Sequence, residues 1–154
     1  MKNKIILGIL MGLMLFLFWG IKFSKTEISN IEFDWMEVVK VVDGDTIKVK
    51  INDKIESVRL IGIDAPELSD SSQKGLKAIE AKEFLINLIG NEKVRLEADE
   101  TQDDRDVYDR LLRYVFLENG KMVNEEMIKE NLAEEYTFKM KYKYQEEFKK
   151  LEDE

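Results

Sequence analysis

Residues 43–67 constrain this chain more than any other stretch. They carry carboxylates at both ends, Asp43 and Asp45 at one and Asp64 and Glu67 at the other. Two short alternating apolar runs, 46–51 and 55–63, lie between those ends and are separated by Asn52-Asp53. Period-two alternation around an Asn/Asp pair predicts a strand, a tight turn and a returning strand. Such a hairpin brings its ends side by side, so carboxylates distant in sequence share one small volume with Arg59. Hard oxygen ligands beside a guanidinium suit a metal site with a charge-stabilising arginine.

The chemistry available to the chain is narrowed by what it lacks. Its 154 residues include no cysteine and no histidine. Disulfides and thiolate zinc sites are therefore excluded. Acid–base work falls to Asp, Glu, Lys or Tyr, and calcium or magnesium is favoured over zinc. Lys2, Lys4, Lys22 and Lys25 are the only charges in residues 1–25, which leaves 20 basic and 32 acidic residues in the remainder. That acidic balance opposes tight, non-specific binding to a polyanion, which draws its affinity from cationic patches.

Residues 5–21 contain no charge and are nearly all apolar, with lysines on both sides. A uniformly apolar run of this length predicts a membrane-anchor helix, with an uncleaved signal anchor over 1–25 favoured over a cleaved peptide because no small-residue cleavage site follows. Residues 26–34 are read as a short tether, and 35–154 as one domain. Within it, strands are expected at 35–42, 46–51, 55–63, 92–98 and Leu111–Leu117. Residues 68–74 form a polar loop, followed by a helix whose face is Leu76, Ile79, Ala81, Phe84, Leu85, Leu88 and Ile89, ended by Gly90. Further helices are expected over Met122–Leu132 and from Tyr142 to the end. The acids of 97–106, opposed only by Arg105, are read as a solvated loop in preference to a second metal site. Five short strands with about three helices give an α+β chain built on a small OB-fold-like β-barrel, preceded by the anchor helix.

These residues also carry a family resemblance. Asp43-Gly-Asp-Thr-Ile-Lys-Val, nine residues, then Arg59-Leu-Ile-Gly-Ile-Asp-Ala-Pro-Glu67 resembles the signature of staphylococcal-nuclease-like proteins, the thermonucleases. Asp106-Val-Tyr108-Asp-Arg110-Leu-Leu-Arg-Tyr-Val-Phe resembles that family's second signature, and Gly120-Lys-Met-Val-Asn and Asn131-Leu-Ala also match. The resemblance spans roughly 36–150. It implies a five-stranded barrel with three helices and calcium-dependent hydrolysis of phosphodiester bonds in DNA and RNA, leaving 3′-phosphate ends.

By the same resemblance, Asp45 and Asp64 are the carboxylate ligands of Ca2+, with the backbone carbonyl of Ala65 beside them. Asp43 is expected to hold the turn or stand behind the ligands rather than ligate. Glu67 matches the family's proposed general base, which would orient or deprotonate the attacking water. Arg59 and Arg110 match the two arginines that bind the phosphate and stabilise developing charge. Tyr108 and Tyr136 match nucleotide-contacting positions, since aromatic rings stack on bases with little sequence preference. For Tyr136 ordinary packing weighs equally, and Phe138 resembles a further tyrosine site without its hydroxyl.

The chain departs from the family pattern at Val107, where a phosphate-contacting lysine is common, and at Asp109, where glycine is common. The loop 68–74 is shorter than the family's lysine-bearing loop, leaving Lys74 as a stand-in. Lys139-Met-Lys141-Tyr-Lys143-Tyr interleaves cations with aromatics and is read equally as a nucleic-acid edge or a solvated one. The expected protein is a monomeric, calcium-dependent nuclease acting on DNA or RNA, held to the membrane with its domain outside the cell, or secreted if cleaved. The competing reading is a tethered nucleic-acid-binding barrel with weak or absent catalysis.

Overall fold

The computed structural model describes residues 35–67 and 73–153. The expected anchor (1–25), the tether (26–34) and the first part of the loop at 68–74 lie outside the described residues. Among those described, no helix is long and apolar enough to cross a membrane.

Five strands form a closed barrel: β1 (Met36–Val41), β2 (Thr46–Ile51), β3 (Lys54–Leu60), β5 (Lys93–Glu97) and β6 (Leu111–Leu117). The order around it is β1-β2-β3-β6-β5, with β5 pairing back onto β1 through Met36↔Val94 and Glu37↔Lys93. The β2–β3 hairpin turns on Asn52 and Asp53, whose φ angles of 47° and 63° give two successive left-handed residues. That turn matches the right-handed twist of the flanking strands, and Asn and Asp tolerate it better than most side chains. It sets the register that places Thr46 opposite Arg59 and Ile51 opposite Lys54. β3 and β6 pair in parallel, with Val58↔Leu111, Arg59↔Leu112 and Leu60↔Arg113.

Alternation fills the interior. Ile47, Val49, Val58, Leu60, Val94, Val115 and Leu117 are all buried. The helices α1 (Gln73–Ile89), α2 (Val123–Lys129) and α3 (Gln145–Glu152) complete the core. Phe148 of α3 is fully buried and meets the buried Tyr114 ring edge-on at 6.4 Å. Asn124 of α2 is fully buried and has both ends of its amide used. Its Oδ1 accepts from the Val115 N–H at 3.0 Å, and its Nδ2 donates to the Ile61 carbonyl at 2.9 Å. This pairing satisfies a buried amide and fixes α2 to the end of β3.

Several expectations change. The third run does not continue through residue 63. It stops at Leu60 and resumes as the two-residue β4 (Ile63–Asp64), which pairs with a second two-residue strand, β7 (Glu134–Glu135), rather than with the barrel. Gly62 makes the break: its φ is +80°, and a Cβ there would lie 2.6 Å from the Tyr142 ring. The expected inward face of α1 loses only Leu76 and Ile79, which are exposed; Phe84 and Leu88 pack on the core beside the fully buried Ala78, Ala81, Leu85 and Ile89. The i, i+3, i+7, i+11 spacing of that set defines one stripe, and its two alanines allow close approach. α1 begins at Gln73, inside the expected loop, and ends before Gly90, whose φ is +55°. α2 ends at Lys129 because Asn131 turns left-handed (φ 56°), and α3 begins only at Gln145.

The acidic run is not simply solvated. Asp99 is buried and accepts from the Tyr114 hydroxyl at 2.6 Å, the Lys143 N–H at 2.7 Å and the Thr101 N–H at 2.8 Å. Burial pushes its carboxyl up, but these donors outweigh burial and hold it below the usual carboxylate range. A depressed folded value means that the stabilisation is present above the unfolded pKa, about 3.9, and is lost as pH falls through the folded one. Asp99→Asn is expected to cost about 2 kcal/mol at pH 7, the scale of charge-assisted hydrogen bonds. Thermal melting of both proteins at pH 7 and pH 3 checks this: the gap should narrow at pH 3, and a gap independent of pH would contradict it.

Candidate active site

The hairpin register alone brings the first half of the site together. Asp45 immediately precedes β2, and Arg59 lies opposite Thr46 near the end of β3. The Leu60 N–H donates to the Asp45 carbonyl at 2.9 Å and closes the ladder there. Asp43 Oδ1 accepts from the Asp45 N–H at 3.2 Å, so Asp43 does hold the turn. Between them Gly44 is required by space, since a Cβ would sit 2.7 Å from that of Ala65 and 2.8 Å from that of Ala81.

Asp45 is buried and fully engaged. Its Oδ2 accepts from the Ala65 N–H at 2.9 Å and pairs with Arg59 Nη1 at 3.2 Å, while Oδ1 accepts from the Thr46 hydroxyl at 2.9 Å. Burial pushes its carboxyl up to about 6, against the pull of Arg59 and the Ala65 N–H, and Asp43 adds repulsion. Asp64 is more open, and its Oδ1 takes Arg59 Nη2 at 2.8 Å. Across the β4–β7 ladder it faces the exposed Glu134. Arg59 Nη1 also donates to the carbonyls of Leu60 (3.1 Å) and Ile63 (2.8 Å). Arg59 is therefore the hub that joins both expected ligand carboxylates to the β3–β4 turn.

The parallel β3–β6 pairing delivers the second arginine. Arg110 stands just before β6, and its Nε donates to Asp106 Oδ2 at 2.6 Å while Nη1 donates to Thr46 Oγ1 at 3.2 Å. Asp106 Oδ1 gathers the N–H groups of Tyr108 and Arg110, both at 2.9 Å. Burial raises the Asp106 carboxyl, but these donors prevail and hold it low. The loop wrapped on Asp106 presents Tyr108, 78% exposed and 5.5 Å from the Arg110 guanidinium, and Val107, 86% exposed. Asp109 adopts φ 64°, which accounts for a preference for glycine there; Arg105 Nη1 steadies it by donating to its carbonyl at 2.8 Å.

Glu67 lies exposed just beyond Asp64 and Ala65. Tyr136 follows β7, where its N–H donates to the Gly62 carbonyl at 3.0 Å, and its ring is 44% exposed beside Phe138 at 6.4 Å. Tyr136 therefore offers a half-open face rather than filling the core. The Lys139–Tyr144 stretch is divided: Met140 is exposed, Tyr142 is buried, and Lys143 pairs with Glu97 at 2.7 Å. Lys74 has no described side chain. Two participants escaped the sequence reading, Thr46 and Asp106. Their signals were adjacency to Asp45 and the i, i+4 spacing to Arg110.

Among the described residues no three carboxylates gather as a cage. Asp45, Asp64 and the Ala65 carbonyl are all hard oxygens, with no nitrogen or sulfur ligand to favour zinc. A buried carboxyl raised by burial, with its arginine only partly offsetting the cost, is a place where added positive charge is favourable. The residues are oxygen donors of the kind that would suit a hard cation such as calcium.

Comparison with known proteins bears on the same residues. The family described as "Staphylococcal nuclease homologue" matches residues 57–154. A thermonuclease of Staphylococcus hyicus is 38% identical over 125 residues, covering 80% of this chain and 72% of that protein. Endonuclease YncB of Bacillus subtilis (strain 168) is 38% identical over 136 residues, covering 85% of this chain and 60% of its own length. The SPbeta prophage-derived endonuclease YokF of the same organism is 40% identical over 120 residues, and the match spans 39% of its length. A family profile matched over more than half of the chain, a relative covered for most of its length, and a site assembled from both expected signatures lead to one conclusion: the chain belongs to the staphylococcal nuclease family.

Proposed function

We propose that this chain is a calcium-dependent nuclease that hydrolyses phosphodiester bonds of DNA or RNA and leaves 3′-phosphate ends. The observation that carries the reading is the convergence of Arg59 and Arg110 on one mouth of the barrel, joined through Asp45 and Thr46. Two guanidinium forks beside an oxygen-donor site suit a phosphate whose equatorial oxygens gain charge in the transition state. Bound calcium, held by Asp45, Asp64 and the Ala65 carbonyl, would supply Lewis-acid polarisation of the phosphate.

Glu67, exposed and two residues beyond Ala65, would take a proton from the attacking water. Arg59 and Arg110 would orient the phosphate and stabilise its charge, and the open rings of Tyr108 and Tyr136 would stack on neighbouring bases. Glu67→Gln retains size and removes the base. It is expected to lower kcat about 10²–10⁴-fold, the range of general acid–base catalysis, with little change in KM. Steady-state cleavage of labelled single-stranded DNA measures this, and an unchanged kcat would remove Glu67 from the mechanism.

A second reading, a binding barrel without effective catalysis, draws on Val107, which stands fully out in solvent beside Tyr108 where a cation would grip phosphate. The two readings part in one assay: DNA retained on the protein but uncut with calcium present supports the second. The apolar run 5–21 supports a membrane anchor, and calcium, plentiful outside cells and scarce in the cytosol, supports an outward-facing domain. N-terminal sequencing of the mature protein tests the anchor; a start near residue 25 would mean secretion.

A further inference from the structure

We propose that Thr46 is a positioning residue whose single hydroxyl locks Arg110 to Asp45, so that the phosphate-binding and cation-binding halves of the site move as one. The inference rests on the nuclease reading and adds a residue to it. Thr46 is buried, and its backbone is pinned: its carbonyl accepts from the N–H of Val42 at 2.9 Å, and it pairs with Arg59 across the hairpin. A hydroxyl has one hydrogen to donate and lone pairs to accept with. An ionised carboxylate only accepts and a guanidinium only donates, so both bonds of this bridge have a fixed direction. Thr46 must donate to Asp45 Oδ1 (2.9 Å) and accept from Arg110 Nη1 (3.2 Å). Arg59 already ties Asp45 to Asp64, and Thr46 Oγ1 is the atom that brings Arg110 into the same set.

The lock also aims Arg110. With Nε held by Asp106 and Nη1 held by Thr46, the guanidinium plane is fixed at two points, and Nη2 is the edge left to meet a phosphate. Preorganised donors act without reorganising during the reaction, and a misplacement of about 1 Å can cost about 10²-fold in rate. Thr46→Val conserves shape and deletes both bonds at once. Thr46→Ser keeps the hydroxyl.

The test uses the full-length protein in mild detergent with calcium and single-stranded DNA. Thr46→Val should lower kcat about 10²-fold, with KM changed less than about threefold, while Thr46→Ser stays within about threefold of wild type. Thr46→Val combined with Arg110→Ala should be no slower than Arg110→Ala alone, because the two act as a unit. Wild-type kcat in Thr46→Val, full additivity with Arg110→Ala, or equal damage from Thr46→Ser would overturn the proposal. An independent readout is the NMR signal of the Arg110 Nη1–H group, because Nε–H stays on Asp106 in every Thr46 variant. It should be sharp and protected in the wild type and in Thr46→Ser, and averaged by motion in Thr46→Val. An averaged signal in the wild type itself also overturns the lock, whatever the activity. A wild type that shows a locked Arg110 but never cleaves strikes the nuclease reading instead.

Discussion

Arg59→Ala is expected to lower the cleavage rate by about 10²–10³-fold or more, as removal of a preorganised oxyanion donor does, and also to weaken the fold. The second effect follows from the hub geometry. Arg59 is only 13% exposed at its side chain and serves Asp45, Asp64 and the carbonyls of Leu60 and Ile63. Its loss strands the buried Asp45 carboxylate, and breaking one partner of a buried pair costs roughly 3–5 kcal/mol. Asp45 already has its carboxyl raised to about 6 by burial in spite of Arg59. A raised folded carboxyl is more readily neutralised as pH falls, so in calcium-free buffer the variant should lose less stability at pH 5 than at pH 8. Chemical denaturation at the two pH values, beside a cleavage assay, measures both effects. A variant that is inactive yet as stable as wild type at pH 8 would show that the ion pair carries no structural weight.

The largest purely structural effect is expected at Gly62. An alanine Cβ there would lie 2.6–2.9 Å from the rings of Tyr142 and Phe148, and the residue would have to keep φ +80°. Overpacking a tight core costs about 1–3 kcal/mol, and a left-handed non-glycine residue adds of order 1 kcal/mol. The Tyr142 hydroxyl, which donates to Glu135 Oε1 at 2.9 Å, also lies 3.2 Å from the Gly62 carbonyl, so moving that ring loosens the turn leading into Asp64. Gly62→Ala should therefore lose about 2–4 kcal/mol by urea denaturation, with weaker calcium binding. Near-native stability would mean that Tyr142 and Phe148 yield more easily than their packing suggests.

These two positions also mark how far the sequence reaches. The pairing of Asp45 with Arg59 is a local event, decided by alternating runs and two residues that accept a left-handed turn, and it can be counted from Asn52-Asp53 in one dimension. Gly62 could be seen as a glycine but not as a break, because its conformation is imposed by Tyr142, 80 residues away. Arg110 reaches the site through a parallel pairing of β3 with β6, which composition and periodicity do not specify; only its place in a familiar signature suggested a role. The acids of 97–106 look alike in sequence. Burial and three donors set Asp99 apart, and ion pairs set Asp104 on Arg113 and Asp106 on Arg110 apart, from their solvated neighbours. The expected face of α1 holds from Ala81 to Ile89 and fails only at its start: Leu76 and Ile79 are apolar but exposed, and the small Ala78 is buried in their place.

The central claim is that the mouth formed by Asp45, Asp64, Arg59 and Arg110 cleaves nucleic acid with calcium. Its most direct measurement is the initial rate at which the purified full-length chain cuts end-labelled single-stranded DNA as free calcium is raised from zero in a chelator-buffered series. The rate should rise from background to a plateau, fall back when chelator is restored, and yield fragments ending in 3′-phosphate. Uncut DNA across the whole calcium series, from a chain that is folded and binds the ion, would contradict it.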